Sequence, residues 1–179
     1  MCHFVTLIAP TEDADAVRAV MERYGRAAKP IDNPSIRKVL RDGERQYLTT
    51  SGHCDCGTVL APRHDTPQAF EDKLAKEAAR MKRKGWSEAK IARAIEDQRK
   101  ADARPNGGGS DSLELWNSAL HDLGKEMRLP YAGLFVRLYS GAIATEAFHA
   151  SRRQVQKSEQ WQDALGSMEH DEVTIFPLK

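Results

Sequence analysis

The sequence lacks three features that would assign it at once to a broad class of protein. It has no apolar stretch approaching the roughly 18 residues that cross a bilayer, and no basic leader precedes the short apolar run at 4–9. Its charges nearly cancel, with 27 lysines and arginines against 26 acids. We therefore expect a cytoplasmic protein with no membrane partner and no overall field that would attract nucleic acid.

Cysteine is also scarce. Three cysteines are an odd number, which argues against a disulfide framework and for reduced thiols. Hydrophobic residues make up 40 % of the chain and charged residues 30 %, which is an ordinary globular balance. A chain of 179 residues is long enough for one domain with a substantial core, so we predict a single α+β domain over 1–179.

The order of predicted elements favours a single mixed or antiparallel sheet of about four to five strands, with helices on one face. Runs of β-branched and aromatic residues carry the strand predictions. The predicted strands are Cys2–Ala9, a strand from Gln46, Val59–Leu60, Ala132–Tyr139 and Glu172–Phe176. The polar stretch 146–160 gives no clear prediction. Because consecutive elements tend to be neighbours, we expect the first strand to pair with the strand near Thr50.

Helical periodicity predicts the remaining elements. They are a helix over Glu12–Arg23, a helical hairpin inserted at 66–104, a flexible internal loop at 104–110, and a helix that begins with a capping box of Asp111 and Glu114. Acids alternate with the lysines and arginines of the hairpin, and few aromatic residues accompany them. This composition argues against a nucleic-acid interface.

The three cysteines lie in two short segments that also contain histidine, and this is the densest chemical signature of the chain. The segments are Cys2-His3 and His53-Cys54-Asp55-Cys56. In extended backbone Cys54 and Cys56 point to one side, and His53 and Asp55 to the other. If the first strand pairs with the strand near Thr50, the two segments meet.

Thiolates and imidazoles in this number are ligands for a soft divalent ion such as zinc. We predict a zinc site formed by Cys2, Cys54 and Cys56 with one of three histidines as the fourth ligand. The histidine candidates are His3, His53 and His64. The spacing departs from the paired Cys-x-x-Cys pattern of common zinc sites. A purely structural interpretation, with small buried thiols in a strand and a tight turn, also stays open.

Thiol chemistry is a further alternative. Cys54 and Cys56 could form a reversible disulfide, or Cys54 could act as a nucleophile with His3 or His64 as its base. Removal of Met1 would expose Cys2 as a terminal residue, which resembles the start of the N-terminal-nucleophile amidohydrolases. That resemblance covers one or two residues and implies that Cys2 is the nucleophile, with its own amine as the base.

A non-catalytic role is the rival hypothesis. A small, neutral domain with a protruding helical hairpin and no recognisable catalytic set also suits a partner-binding protein, such as an inhibitor or immunity protein that blocks a cognate enzyme. In that case the partner would be a protein.

Overall fold

The structure, a computed structural model, describes residues 2–62, 67–103, 111–156 and 160–178. Their strands form one six-stranded mixed sheet. The strands are β1 (Cys2–Ala9), β2 (Lys29–Ile31), β3 (Arg45–Leu48), β4 (Tyr131–Tyr139), β5 (Ser151–Gln154) and β6 (Glu172–Pro177). The strand order is β2-β3-β1-β4-β6-β5, and every pair is antiparallel except β5 and β6. The predicted α+β class with a single sheet is therefore confirmed.

The sheet has one or two strands more than predicted, because its two edges carry little hydrophobic pattern. Strand β2 is only three residues long and contains Pro30, and β5 has the polar sequence Ser-Arg-Arg-Gln. The predicted strand at Val59–Leu60 is wrong. These residues form a turn that is closed by a single bridge between Thr58 and Ala61, which leaves Leu60 buried without strand pairing.

Six helices accompany the sheet in the described residues. They are α1 (Ala14–Glu22), α2 (Pro34–Arg37), α3 (Pro67–Arg83), α4 (Glu88–Ala103), α5 (Leu113–Met127) and α6 (Trp161–Gly166). Helix α5 is capped by the Ser112 side chain, which accepts from the Leu115 N–H at 3.2 Å. Asp111, predicted as the cap, serves another purpose described below. No described helix combines the length and apolar character needed to cross a bilayer.

The two faces of the sheet are covered differently. Buried side chains of α1, α5 and α6, including Met21, Trp116 and Leu165, pack with β1 and β4 into the larger core. The opposite face has a smaller core, in which Ile36 of α2 and Ala150 pack on Phe135 of β4. The longer helices packed on the sheet thus lie on one face, as predicted, while a four-residue helix and a loop close the other.

Helices α3 and α4 pack against each other. Arg99 of α4 pairs with Glu71 of α3 at 2.7 Å, and Gln98 donates to Glu77. They occupy the place of the hairpin predicted at 66–104. Thr66, where that hairpin was predicted to begin, and the loop predicted at 104–110 lie outside the described residues.

Strand β1 lies inside the sheet, and the site depends on how its two neighbours differ in length. Strand β4 pairs with it from Cys2 to Ile8, whereas β3 pairs with it only from Thr6 to Ala9. The predicted pairing of β1 with the strand near Thr50 is thereby confirmed. One edge of β1 is left without a strand partner between Cys2 and Val5, and the chain that follows β3 fills this gap.

A buried ion pair helps to close the smaller core. Arg152 of β5 donates from two nitrogens to the two carboxylate oxygens of Glu44, each at 2.8 Å, and the Arg41 N–H donates at 2.7 Å. Burial alone would raise the pKa of Glu44. The hydrogen bonds from Arg152 and Arg41 outweigh that effect and leave the pKa of Glu44 lowered.

The lowered pKa of Glu44 predicts a pH dependence of stability. The Glu44–Arg152 pair stabilises the fold above the unfolded pKa of about 4.3, and this contribution is lost as the pH falls through the folded pKa. Glu44→Gln should therefore lower the free energy of unfolding by urea at about pH 7 and have a smaller effect at about pH 3. Glu22→Gln, at an exposed position of α1, is the control. Equal effects of Glu44→Gln at both pH values would contradict the prediction.

The packing at Gly133 predicts a second effect on stability. A Cβ added there would lie 2.7 Å from Ile175 Cδ1 and 3.2 Å from Ile8 Cβ. Gly133→Ala should therefore lower the free energy of unfolding by about 1–3 kcal/mol. Gly52→Ala is the matched control, because nothing lies within 4 Å of the added atom. Urea unfolding of both variants would measure the difference, and equal stability would contradict the packing described for the sheet.

Candidate metal centre

Three thiols converge at the start of β1. The sulfur atoms of Cys2, Cys54 and Cys56 all lie within 4.8 Å of one another. All three are free thiols and partly buried. Among the residues that the structure describes, they are the only group of three or more cysteine, histidine or acidic side chains close enough to hold a metal ion.

The segment from Thr49 to Cys56 brings the cysteines together by following the unpaired edge of β1. The Thr49 N–H donates to the Val5 carbonyl at 3.0 Å, and the Asp55 N–H donates to the His3 carbonyl at 2.8 Å. Between these bonds the chain bulges outward, so that residues 51–53 are exposed. After the bulge the chain returns to β1 beside His3, which brings Cys54 and Cys56 close to Cys2.

The Asp55 side chain fixes the position of this segment. Its carboxylate is almost fully buried and accepts the Val5 N–H at 2.8 Å, the Thr50 hydroxyl, and Arg26 Nη2 at 2.5 Å. A buried carboxylate must be paired and hydrogen-bonded to be tolerated. Asp55 is buried, whereas Cys54 and Cys56 on either side of it are partly exposed.

Arg26 connects Asp55 to the rest of the larger core. Its guanidinium lies 3.8 Å from Asp111 and stacks over the Trp116 ring, 4.7 Å from the ring centre. Asp111 accepts Trp116 Nε1 at 3.0 Å and the Val59 N–H at 2.7 Å. Asp111 therefore connects α5, the turn at Val59 and Arg26. The cap of α5 is formed by Ser112 instead.

Cys56 is held as a hydrogen-bond acceptor. The His3 N–H donates to its sulfur, with 3.1 Å between N and Sγ. Burial raises the pKa of the Cys56 thiol, the His3 N–H opposes this, and Cys54 and Cys2 raise the pKa further. The Cys56 thiol therefore resists ionisation by itself. A bound cation would reverse that preference, because it stabilises each thiolate.

His3 presents its ring to the same sulfur. Nδ1 lies 3.6 Å from Cys56 Sγ, and Nε2 is buried without a hydrogen-bond partner among the described residues. The ring packs on His170, with 4.8 Å between centroids. Burial and His170 lower the pKa of His3, and Asp55 opposes them. The neutral imidazole, which is the form that binds metals, is thereby favoured.

The other predicted ligands are not brought to the cluster. His53 lies in the exposed bulge and is not part of the group of sulfurs, and His64 lies outside the described residues. His3 touches Cys56 but does not belong to the group in which every ligand atom lies within 4.8 Å of every other. His3, one of the two bases predicted for Cys54, lies beside Cys56 instead.

Three residues that support the site were not predicted from the sequence to do so. Arg26 and Asp111 occur in loops, where a charged residue is expected to be solvated, and His170 lies in a polar stretch. His170 reaches the site because it forms a bridge with Val136 of β4. Only long-range pairing places it there, so no local pattern indicates its role.

Comparisons with protein-family models, with curated proteins and with solved structures give no match to this chain. Its function is therefore inferred from the chemistry of its own residues.

The burial of Asp55 and Arg26 predicts a large effect of removing one charge. Asp55→Asn keeps the shape of the side chain but leaves Arg26 buried without its closest carboxylate, and should lower the free energy of unfolding by about 3–5 kcal/mol. The matched control is Asp32→Asn, which breaks an exposed ion pair with Arg37 and should cost less than about 1 kcal/mol. Urea unfolding measures both. Similar losses for the two variants would show that Asp55 does not anchor the segment.

Proposed function

We propose that this is a zinc-binding protein whose site is formed by Cys2, Cys54 and Cys56. The proximity of the three sulfur atoms carries the proposal. Thiolates select soft or borderline ions such as zinc over magnesium or calcium. Two of the three cysteines are placed by Asp55, which is held by bonds that do not involve the ion, so the backbone of the site does not need zinc in order to form.

His3 is the fourth ligand in this proposal. Zinc bonds of about 2.3 Å to sulfur and 2.0 Å to nitrogen, at a tetrahedral angle, separate a sulfur and a nitrogen ligand by about 3.5 Å. The distance from Cys56 Sγ to His3 Nδ1 is 3.6 Å. Coordination through Nδ1 leaves the proton on Nε2, which is buried and has no hydrogen-bond partner among the described residues.

The three sulfurs need only a small adjustment, whereas His3, which lies outside their group, must also move closer to at least one of Cys2 and Cys54. Two sulfurs on one tetrahedral zinc lie about 3.8 Å apart, and the three sulfurs here lie within 4.8 Å of one another. Rotation of cysteine side chains about χ1 moves a sulfur by this amount without moving the backbone. We expect binding to contract the cluster and leave Asp55 in place.

The raised pKa of Cys56 argues against Cys56 as a nucleophile. A catalytic cysteine needs a lowered pKa so that the thiolate is present at neutral pH. The pKa of Cys56, the thiol nearest to a histidine nitrogen, is raised. A metal ion supplies the positive charge that the described surroundings of this thiol do not.

The proposal predicts about one zinc ion per chain after purification without chelator, measured by elemental analysis. Replacement by Co²⁺ should give the strong near-ultraviolet absorption of cobalt–thiolate bonds and the visible bands of tetrahedral coordination. Cys54→Ser and Cys56→Ser should each abolish the full spectrum, because each removes one of three sulfur ligands.

His53→Ala is the control for those variants, since His53 lies beside Cys54 but outside the group of sulfurs. It should bind zinc and cobalt like the unaltered chain. His3→Ala should keep the sulfur bands but shift the visible bands as water replaces nitrogen. A chain without zinc whose stability is unchanged by added zinc would refute the proposal.

A further inference from the structure

A cleft that shares no residue with the cysteine cluster is formed by α5, α6, the chain just after α1 and the end of β6. Its volume is about 560 Å³, within the roughly 300–1,000 Å³ of sites that hold small molecules. Trp161 of α6, Pro177 and Leu178 form its apolar wall. The rest of the lining is polar and consists of Tyr24, Asn117, Ser118, His121 and Asp122.

Asp122 is the acidic residue of this cleft, and it is paired with a tyrosine. The Tyr24 hydroxyl donates to Asp122 Oδ2 at 2.6 Å. This bond lowers the pKa of Asp122, which is therefore ionised at neutral pH. Burial and the same bond raise the pKa of Tyr24 to about 12. Tyr24 thus keeps its proton and gives it to Asp122, so that its oxygen lone pairs stay available as acceptors.

The charge of Asp122 is only partly compensated. Arg23 lies 3.3 Å from Asp122 Oδ2 but 2.7 Å from Glu126. One guanidinium therefore serves two carboxylates, and one negative charge is left over. His121 Nδ1 lies 3.6 Å from Asp122 Oδ1, which is too far for a hydrogen bond. Oδ1 is accordingly open to another donor.

We propose that this cleft binds a small organic amine, in which a primary ammonium is attached to an apolar body. The ammonium donates to Asp122 Oδ1 and to the Tyr24 oxygen. The apolar body packs on Trp161, Pro177 and Leu178, and the indole ring adds its attraction for a cation. The charge of the lining disfavours an anion, because no described lysine or arginine lines the cleft and Asp122 repels negative charge.

A pair of probes that differ in charge tests the proposal. The first is 2-phenylethylamine, and the second is 2-phenylethanol, which has nearly the same shape without the charge. Each is titrated at about pH 7 into chain labelled with ¹⁵N, and NMR follows the backbone and indole N–H resonances. We expect the amine to bind about tenfold more tightly, because its hydrogen bond to Asp122 joins two charged groups. It should shift the indole resonance of Trp161 and leave that of Trp86 in place.

Equal affinities for the two probes, or shifts confined to residues outside the cleft, overturn the proposal. The titration needs no metal, so its outcome is independent of the zinc site.

Two substitutions on α5 test the role of Asp122. Asp122→Asn keeps an oxygen that can accept from Tyr24, and it should weaken amine binding about tenfold, to the affinity of the alcohol. Glu126→Gln is the matched control, because Glu126 shares Arg23 with Asp122 but does not line the cleft. It should leave the preference for the amine nearly unchanged.

A preference for the amine that survives Asp122→Asn, or that both variants lose equally, also overturns the proposal. Binding of the alcohol to Asp122→Asn shows that the cleft is intact. If that variant does not fold, the comparison of amine and alcohol on the unaltered chain decides.

Discussion

The buried contact between Asp55 and Arg26 is the constraint on which the site depends. A carboxylate and a guanidinium that are each less than a tenth exposed are costly to bury unless they are paired and hydrogen-bonded. Val5 and Thr50 supply donors to Asp55, and Asp111 and the Trp116 ring lie beside Arg26, whose Nε has no hydrogen-bond partner among the described residues. The pair thereby links β1, the segment after β3, and α5.

This link explains how a short, exposed segment can hold reactive side chains in register. Asp55 lies between Cys54 and Cys56, so burying its side chain fixes the chain at a point where the thiols on either side stay partly exposed. The third thiol comes from β1, whose place is secured by seven paired positions with β4. The burial of Asp55 and the pairing of β1 with β4 therefore place the three thiols independently of each other. A metal ion bound there would not have to order the chain.

The sequence indicated the parts of this arrangement that depend on local pattern. The alternation of Cys54, Asp55 and Cys56 follows from the two-residue period of extended chain, and the approach of Cys2 follows from the pairing of β1 with β3. The edge strands β2 and β5 escaped prediction because an edge strand needs no continuous apolar face. The apolar pair Val59–Leu60 is typical of a strand, but it forms a turn. Leu60 is buried there without strand pairing.

The parts that could not be predicted are charged residues whose partners are far away in sequence. Arg26 and Asp111 become structural only through Asp55 and Trp116, and a lone charge in a loop carries no sign of such a role. His170 reaches His3 through its own bridge with Val136 of β4. The sequence predicts only that Asp55 points away from Cys54 and Cys56, and no local pattern indicates that its carboxylate is buried.

The central claim is that three cysteines and His3 surround one zinc ion. X-ray absorption at the zinc edge, on chain purified without chelator, tests it most directly. We predict a first shell of about three sulfur atoms at about 2.3 Å and one nitrogen at about 2.0 Å. A shell of oxygen and nitrogen alone, or one with a single sulfur, would contradict the account.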